Sequence, residues 1–300
     1  MSATARRLPH VSSRQLRNLR LLMRGLQAIS TRLASRVAFR LFLTPLRRRL
    51  DPSDAPDVAG AKLHRVDCRN GDRAQVYEWG TGADVVVLVH GWRGRASQFG
   101  SLVRELRAEG YRVVSFDAPA CGASEGVQTD AGDYVDVLRL LQARYGAFAG
   151  IVGHSFGSLA ALVAIKEGIV TARMAGVASI PDADHLMAAF TERLGLGARV
   201  RELLVARFQQ KRFPGQTDLR ERFSGVLAPV TVPTLFVHDA GDREVGVAAS
   251  ERLHAAHGAS SRLVLTNGQG HARVLGADET LDAIVGFLAG EPARVSSTAL

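Results

Sequence analysis

Gly153-His154-Ser155-Phe156-Gly157 fits the pattern G-x-S-x-G. It follows an apolar run and opens a helical stretch. A sharp strand–turn–helix in that setting holds a serine in a strained, exposed conformation suited to nucleophilic attack. Side chains at Gly153 and Gly157 would crowd the neighbouring strand and helix, so both positions of this elbow call for glycine. The bland alternative is a glycine-rich turn carrying an incidental serine. A serine hydroxyl is not ionised near neutral pH and needs a base. His271, in Asn267-Gly268-Gln269-Gly270-His271, is the candidate. An acid must then hold the imidazole in the right tautomer and stabilise its cation. Asp242 is the expected acid, with Asp239 and Glu244 as runners-up; Asp239 lies close to a strand end. Acyl transfer also develops an oxyanion, which needs preorganised N–H donors. The backbone amide of Phe156 is one. Trp92, in His90-Gly91-Trp92-Arg93-Gly94, is expected to supply the other, with Gly91 allowing the tight approach and the His90 side chain as a structural hydrogen bonder. His154, His238, His254 and His257 are given no catalytic role.

Alternating strands and helices must position these groups. Lys62–Asp67 and Arg73–Trp79 read as a hairpin around Asn70-Gly71, a favoured two-residue turn. Asp84–His90 is a continuous apolar run typical of a strand buried on both faces. A helix over Ser97–Glu109 and a strand over Tyr111–Asp117 follow. Then come the helix Ala131–Tyr145, the strand Phe148–His154, the helix Phe156–Gly168 and the strand Met174–Ile180. Thr234–Asp239 and Arg262–Thr266 complete the strands, with helices near Val247–His257 and Glu279–Leu288. Such alternation implies a mainly parallel sheet covered by helices on both faces. Residues 181–230 break the pattern with helical stretches at Leu186–Leu194, Arg199–Gln210 and Leu219–Val226. They read as a helical lid over the end of the sheet, between core segments 51–180 and 231–300.

The N-terminal residues 1–50 differ from the rest. They hold twelve arginines and no acid, whereas the remaining 250 carry three more acids than bases. The net charge of +9 therefore belongs to the arm, and a nearly neutral body argues against nucleic-acid binding. From Arg14 to Leu43 the arm reads as one basic amphipathic helix. Leu19, Leu22, Leu26, Ile29, Leu33 and Val37 form its apolar stripe, and Thr44-Pro45 ends it. Arg47, Arg48, Arg49 and the turn-forming residues 51–56 follow. Such a helix docks on the body by its stripe, touches an anionic membrane surface through residues 14–43, or serves as a transit peptide. The docked helix is preferred.

No run reaches 18 consecutive apolar residues, which excludes a transmembrane helix. Two cysteines, Cys68 and Cys121, cannot form a disulfide framework, and the expectation is a cytoplasmic protein with reduced thiols. No cluster has metal-site spacing and no nucleotide-binding motif is present, so neither metal nor cofactor is expected.

Val87–Gly94, the segment Phe116–Ser124, the elbow, Val237–Val245 and Gly270-His271 together resemble the successive motifs of the α/β-hydrolase superfamily. The resemblance spans roughly residues 60–290. It implies an eight-stranded, mostly parallel sheet, a serine hydrolase triad and a small helical lid after the sixth strand. More narrowly, Thr44-Pro45-Leu46-Arg47-Arg48, His90–Phe99 and His238–Val245 are similar to a group of bacterial hydrolases of generally unassigned substrate. The His-Gly-Trp loop lacks the extra glycines of the HGGG type. Serine at the elbow argues against relatives that use aspartate there, and Cys121 is read as a packing residue near the site mouth. The expectation is a serine esterase acting on a small-molecule carboxylic ester by a Ser155–His271–Asp242 acyl-enzyme mechanism. Leu186, Met187, Phe190, Phe208 and Phe213 are candidate pocket residues. The competing readings are an inactive hydrolase-fold binding module and a membrane-surface lipid hydrolase anchored by the basic arm.

Overall fold

The computed structural model describes residues 13–45 and 58–290. Arg47, Arg48, Arg49, residues 51–56 and the expected boundary at residue 50 lie outside the described residues. Two helices come first, α1 (Ser13–Ile29) and α2 (Thr31–Leu43), followed by β1 (Lys62–Asp67), β2 (Arg73–Trp79) and β3 (Val85–Val89). Next are α3 (Gly100–Ala108), β4 (Arg112–Asp117), α4 (Ala131–Tyr145), β5 (Gly150–His154), α5 (Phe156–Lys166) and β6 (Met174–Val177). Three helices then intervene, α6 (Ala183–Leu194), α7 (Ala198–Arg212) and α8 (Leu219–Arg222). The chain returns through β7 (Thr234–Asp239), α9 (Ala248–His257), β8 (Ser261–Thr266), α10 (Gly270–Arg273) and α11 (Asp278–Ala289).

The eight strands form one sheet in the order β1-β2-β4-β3-β5-β6-β7-β8. β2 runs antiparallel to β1 and β4, and every other pairing is parallel. The run Val85–Val89 lies in the middle because both of its faces are apolar. Val85, Val87 and Val89 enter the core beneath α4 and α5, while Val86 and Leu88 enter the core beneath α3 and α11. A half-buried strand would alternate with polar residues; this one cannot, since each face meets a helix layer.

Two local expectations need correction. The β1–β2 connection is wider than a two-residue turn. Asn70 Oδ1 accepts from the Asp72 amide at 2.9 Å and Gly71 N–H donates to Cys68 O, so the asparagine caps its own loop. The arm is also two helices, not one. Ser30 stands extended between them, and its hydroxyl accepts from Leu33 N–H at 3.2 Å as the N-cap of α2.

The arm is docked on the helices between β6 and β7. Met23, Ala34 and Ala38 share an apolar cluster with Met187, Val200 and Leu204, with Leu19, Leu26 and Val37 packed around it. Gln27 bridges the α6–α7 turn, donating to Gly195 O at 3.1 Å and accepting from Gly197 N–H at 2.7 Å. Only half of the expected stripe takes part. Leu22, Ile29 and Leu33 face solvent, because the break at Ser30 and the inward rotation of Met23 redirect the buried face.

Candidate active site

The parallel strands end on one side of the sheet, and the chemistry gathers there. Ser155 connects β5 to α5 with φ +53° and ψ −118°, a conformation costing about 1–3 kcal/mol for a non-glycine residue. Its amide donates to Val177 O on β6 at 2.9 Å, which holds the strained turn. The two glycines are required by space. A Cβ on Gly153 would lie 2.5 Å from Ser158 Cα, and one on Gly157 would press into the backbone oxygens of Val89 and His90.

His271, on the short helix after β8, places Nε2 3.0 Å from Ser155 Oγ. Its Nδ1–H donates to Asp242 Oδ2 at 2.7 Å. Asp242 sits in the loop after β7 with its carboxylate fully buried. The other oxygen accepts from the Glu244 and Val245 amides at 2.8 and 3.0 Å. Burial alone would raise this carboxyl. Hydrogen bonds from His238 and His271, reinforced by the Val245 amide, outweigh it and hold Asp242 well below the usual carboxylate range. Ser155, His271 and Asp242 thus form one hydrogen-bonded chain.

The runners-up for the acid do other things. Asp239 accepts from Gly241 N–H, Gly270 N–H, Gln269 N–H and the Thr266 hydroxyl, all within 3.0 Å. It therefore ties the His271 loop to β7 without touching the imidazole. Glu244 is exposed at the rim.

The backbone amides of Trp92 and Phe156 donate to no backbone acceptor in the loops and turns of the described residues. Their side chains meet edge to face, with centroids 5.4 Å apart. Phe156 also packs edge-on against Tyr134 at 5.2 Å. The loop's shape is set by His90, fully buried. Its Nδ1–H donates to Gly91 O at 2.7 Å and its Nε2 accepts from Ala118 N–H at 2.9 Å. Burial lowers its pKa, keeping the ring neutral as both bonds require. Gly91 has Ser155 close by, since a Cβ there would lie 3.1 Å from Ser155 Cβ.

Two histidines passed over in the sequence belong to the site's support. His154 Nε2–H donates to His271 O at 2.9 Å, and its Nδ1 accepts from the Gln98 amide at 3.3 Å. Burial first, and the nearby His271 second, push its pKa down to about 3, so it stays neutral. His238 places Nε2 2.9 Å from Val245 O and 3.4 Å from Asp242 Oδ2. Their only sequence signal is a polar residue in an otherwise apolar strand end.

This arrangement sits at the end of an eight-stranded sheet, and a family model described as the alpha/beta hydrolase family matches residues 86–286. The chain belongs to that family. Among solved structures, the esterase Pf2001 of Pyrococcus furiosus superposes with a TM-score of 0.62 at 19% identity, over 83% of this chain and 99% of that one. Mouse alpha/beta hydrolase domain-containing protein 10 gives 0.60 at 17% identity, over 77% and 98%. A structure from work on carboxylesterases of the thaumarchaeon Nitrososphaera gargenis gives 0.57 at 14%, over 76% and 98%. At these identities the likeness is one of fold. No curated protein matches the sequence.

In this alpha/beta hydrolase, Ser155 and His271 open into a cavity of about 810 Å³. Its walls are mostly apolar, and its size suits a small organic ligand. Leu186, Met187, Phe190 and Phe208 line it as expected, but Phe213 does not. Phe213 is buried behind the wall, against Phe208 and Phe223. The remaining wall, which no spacing or motif announces, comes from the arm. Leu41, Phe42 and Leu43 of α2 line the cavity, and Leu16 and Arg20 of α1 form part of it. Phe42 packs edge-on against Phe190 and Phe208, at 5.0 and 5.9 Å. Cys121 is fully buried in the core under the site. Among the described residues, no group of three or more His, Cys, Asp or Glu is placed to hold a metal ion. No helix among them is long and apolar enough to cross a membrane.

Proposed function

We propose that this protein is a serine hydrolase cleaving a carboxylic ester with an apolar acyl or alcohol group. The observation that carries the reading is the unbroken chain from Ser155 Oγ through both nitrogens of His271 to the buried Asp242 carboxylate. Ser155 Oγ attacks the ester carbonyl as His271 Nε2 takes its proton. The carbonyl oxygen becomes an oxyanion facing the amides of Trp92 and Phe156, at the positive end of α5. Collapse breaks the carbon–oxygen bond to the alcohol, which leaves with the proton from His271. Water then attacks the acyl-enzyme, its proton passing to His271 and on to Ser155 as the acid departs. Asp242 keeps the Nδ1–H tautomer throughout and stabilises the transient imidazolium. The apolar walls around Ser155 support a hydrophobic substrate, since burying apolar surface there adds about 25 cal/mol per Å² to binding.

The test needs no substrate. A fluorophosphonate is reacted with wild type and with Ser155→Ala, and the modified peptide is mapped by mass spectrometry. An adduct on Ser155, absent from the variant, is the expected result. A folded wild type that gives no adduct, even in mild detergent, overturns the reading in favour of a binding module.

A further inference from the structure

The docked arm keeps a second apolar face. Ile29 is 80% exposed, Leu21 58%, Leu22 55% and Leu33 41%. Four large apolar side chains thus stand in solvent within thirteen residues. Leu21 and Leu22 share the outer side of α1 with Gly25, Ala28 and Ile29 at helical spacing, away from Met23, which is buried. Scattered exposed leucines need no explanation, but a contiguous group on one helix does.

The charge around this face has one sign. Arg17 and Arg24 flank it on α1, and Arg32 and Arg36 continue it on α2; all four are exposed. Residues 13–45 contain no aspartate or glutamate, so nothing within the arm neutralises them. A protein partner with an apolar contact face would not require seven exposed arginines over these two helices. A surface combining hydrocarbon with negative charge satisfies both features together.

We infer that the outer face of α1 docks on an anionic lipid surface, its leucines and isoleucine entering the acyl boundary while the arginines meet the headgroups. The helix does so without leaving the body, because Met23, Leu19 and Leu26 hold its other side. Leu16 and Arg20 of the same helix belong to the cavity wall, so the helix that attaches also bounds the cavity. Attachment does not depend on Ser155 being activated. The delivery of a lipid-phase ester to the cavity does rest on the hydrolase reading, and the two are tested apart.

The full chain is sedimented with vesicles of phosphatidylcholine alone and of phosphatidylcholine containing about 30% phosphatidylglycerol. Wild type is expected to partition onto the anionic vesicles, and 0.5 M salt should weaken this at least fivefold. Leu21→Ser/Leu22→Ser/Ile29→Ser should partition at least tenfold less. Arg17→Gln/Arg24→Gln should lose the preference for anionic over neutral vesicles. Both variants change exposed side chains, so their melting temperatures and fluorophosphonate labelling serve as controls for folding and for the site. Absence of wild-type partitioning overturns the inference, as does partitioning that the triple serine variant leaves unchanged. A concentration-dependent dimer that the same variant dissociates would also overturn it, by assigning the face to a second copy of this chain.

Discussion

Replacing Asp242 with asparagine changes one atom, and the structure fixes what that atom does. Oδ1 accepts from two backbone amides, Glu244 and Val245, so the amide oxygen of asparagine must stay there. The NH2 group is then forced into the Oδ2 position, 2.7 Å from His271 Nδ1. A donor in that place requires a lone pair on Nδ1, which moves the ring proton to Nε2. Nε2–H would then point at Ser155 Oγ, 3.0 Å away, and the base is lost. A wrong tautomer combined with loss of the carboxylate is worth about 10⁴-fold in kcat, or roughly 5.5 kcal/mol. Stability should fall by a smaller amount, about 1–3 kcal/mol, because the new N–H also confronts His238 Nε2–H. The assay is turnover of a short p-nitrophenyl ester, with melting temperature as the folding control. Asp239→Asn is the comparison. Its carboxylate already accepts from four donors, so the amide should destabilise the loop yet leave the folded fraction far more active than Asp242→Asn. An Asp242→Asn protein retaining more than a tenth of wild-type kcat would refute the tautomer argument.

Gly157→Ala should fail to accumulate as folded, active protein, since its Cβ meets two backbone oxygens that cannot move aside; soluble yield and fluorophosphonate labelling report this. Acid should weaken the fold through His154. Its folded pKa of about 3 lies below the unfolded value near 6.5, so the unfolded chain binds the extra proton between these limits and stability drops as pH falls through that window. Denaturant titrations of His154→Gln from pH 7 to 4 should show a shallower decline, by up to about 1.4 kcal/mol per pH unit, and an unchanged slope would count against the assignment. Asp242 acts in a lower window, its contribution present above about pH 4 and lost only as pH falls further. Phe42→Ala should enlarge the cavity at its contact with Phe190 and Phe208 and shift preference toward longer acyl chains, read as kcat/KM across a series of p-nitrophenyl esters.

What could be read in the sequence was local. The run Val85–Val89 announces a strand buried on both sides because nothing else accommodates five consecutive branched residues so readily. Gly153 and Gly157 announce the elbow because their spacing reflects a steric need. The order Ser155, Asp242, His271 follows from which strand each loop extends. Long-range features left no such mark. Asp239 differs from Asp242 only in the donors that reach it, two of which are amides about thirty residues away. His154 supports His271 through a carbonyl 117 residues distant. The break at Ser30 did carry a signal, a serine beginning a new helical turn. An apolar spacing that continues from Leu26 through Ile29 to Leu33 masked it.

The arm shows why a composition boundary need not be a structural one. Its arginines set residues 1–50 apart from the body, yet helices such as α1 and α2, of 17 and 13 residues, draw most of their stability from tertiary packing and not from propensity. They persist through contacts with α6 and α7, where Met23, Ala38, Met187 and Leu204 fill one apolar cluster. The dependence is mutual. α7 fully buries only Val200 and Leu204 among its fifteen residues, and both lie against the arm, so without it this helix would lose both and keep Phe208 against Phe213. Two segments more than a hundred residues apart therefore make one roof, and Leu43 O ties it to the core by accepting from Thr129 N–H at 2.8 Å. On α1 the same few turns carry the exposed leucines on one side and the cavity residue Leu16 on the other. The outer face and part of the cavity wall are thus two sides of one helix, which makes the arm the part of the molecule where surface attachment and substrate admission would be coupled.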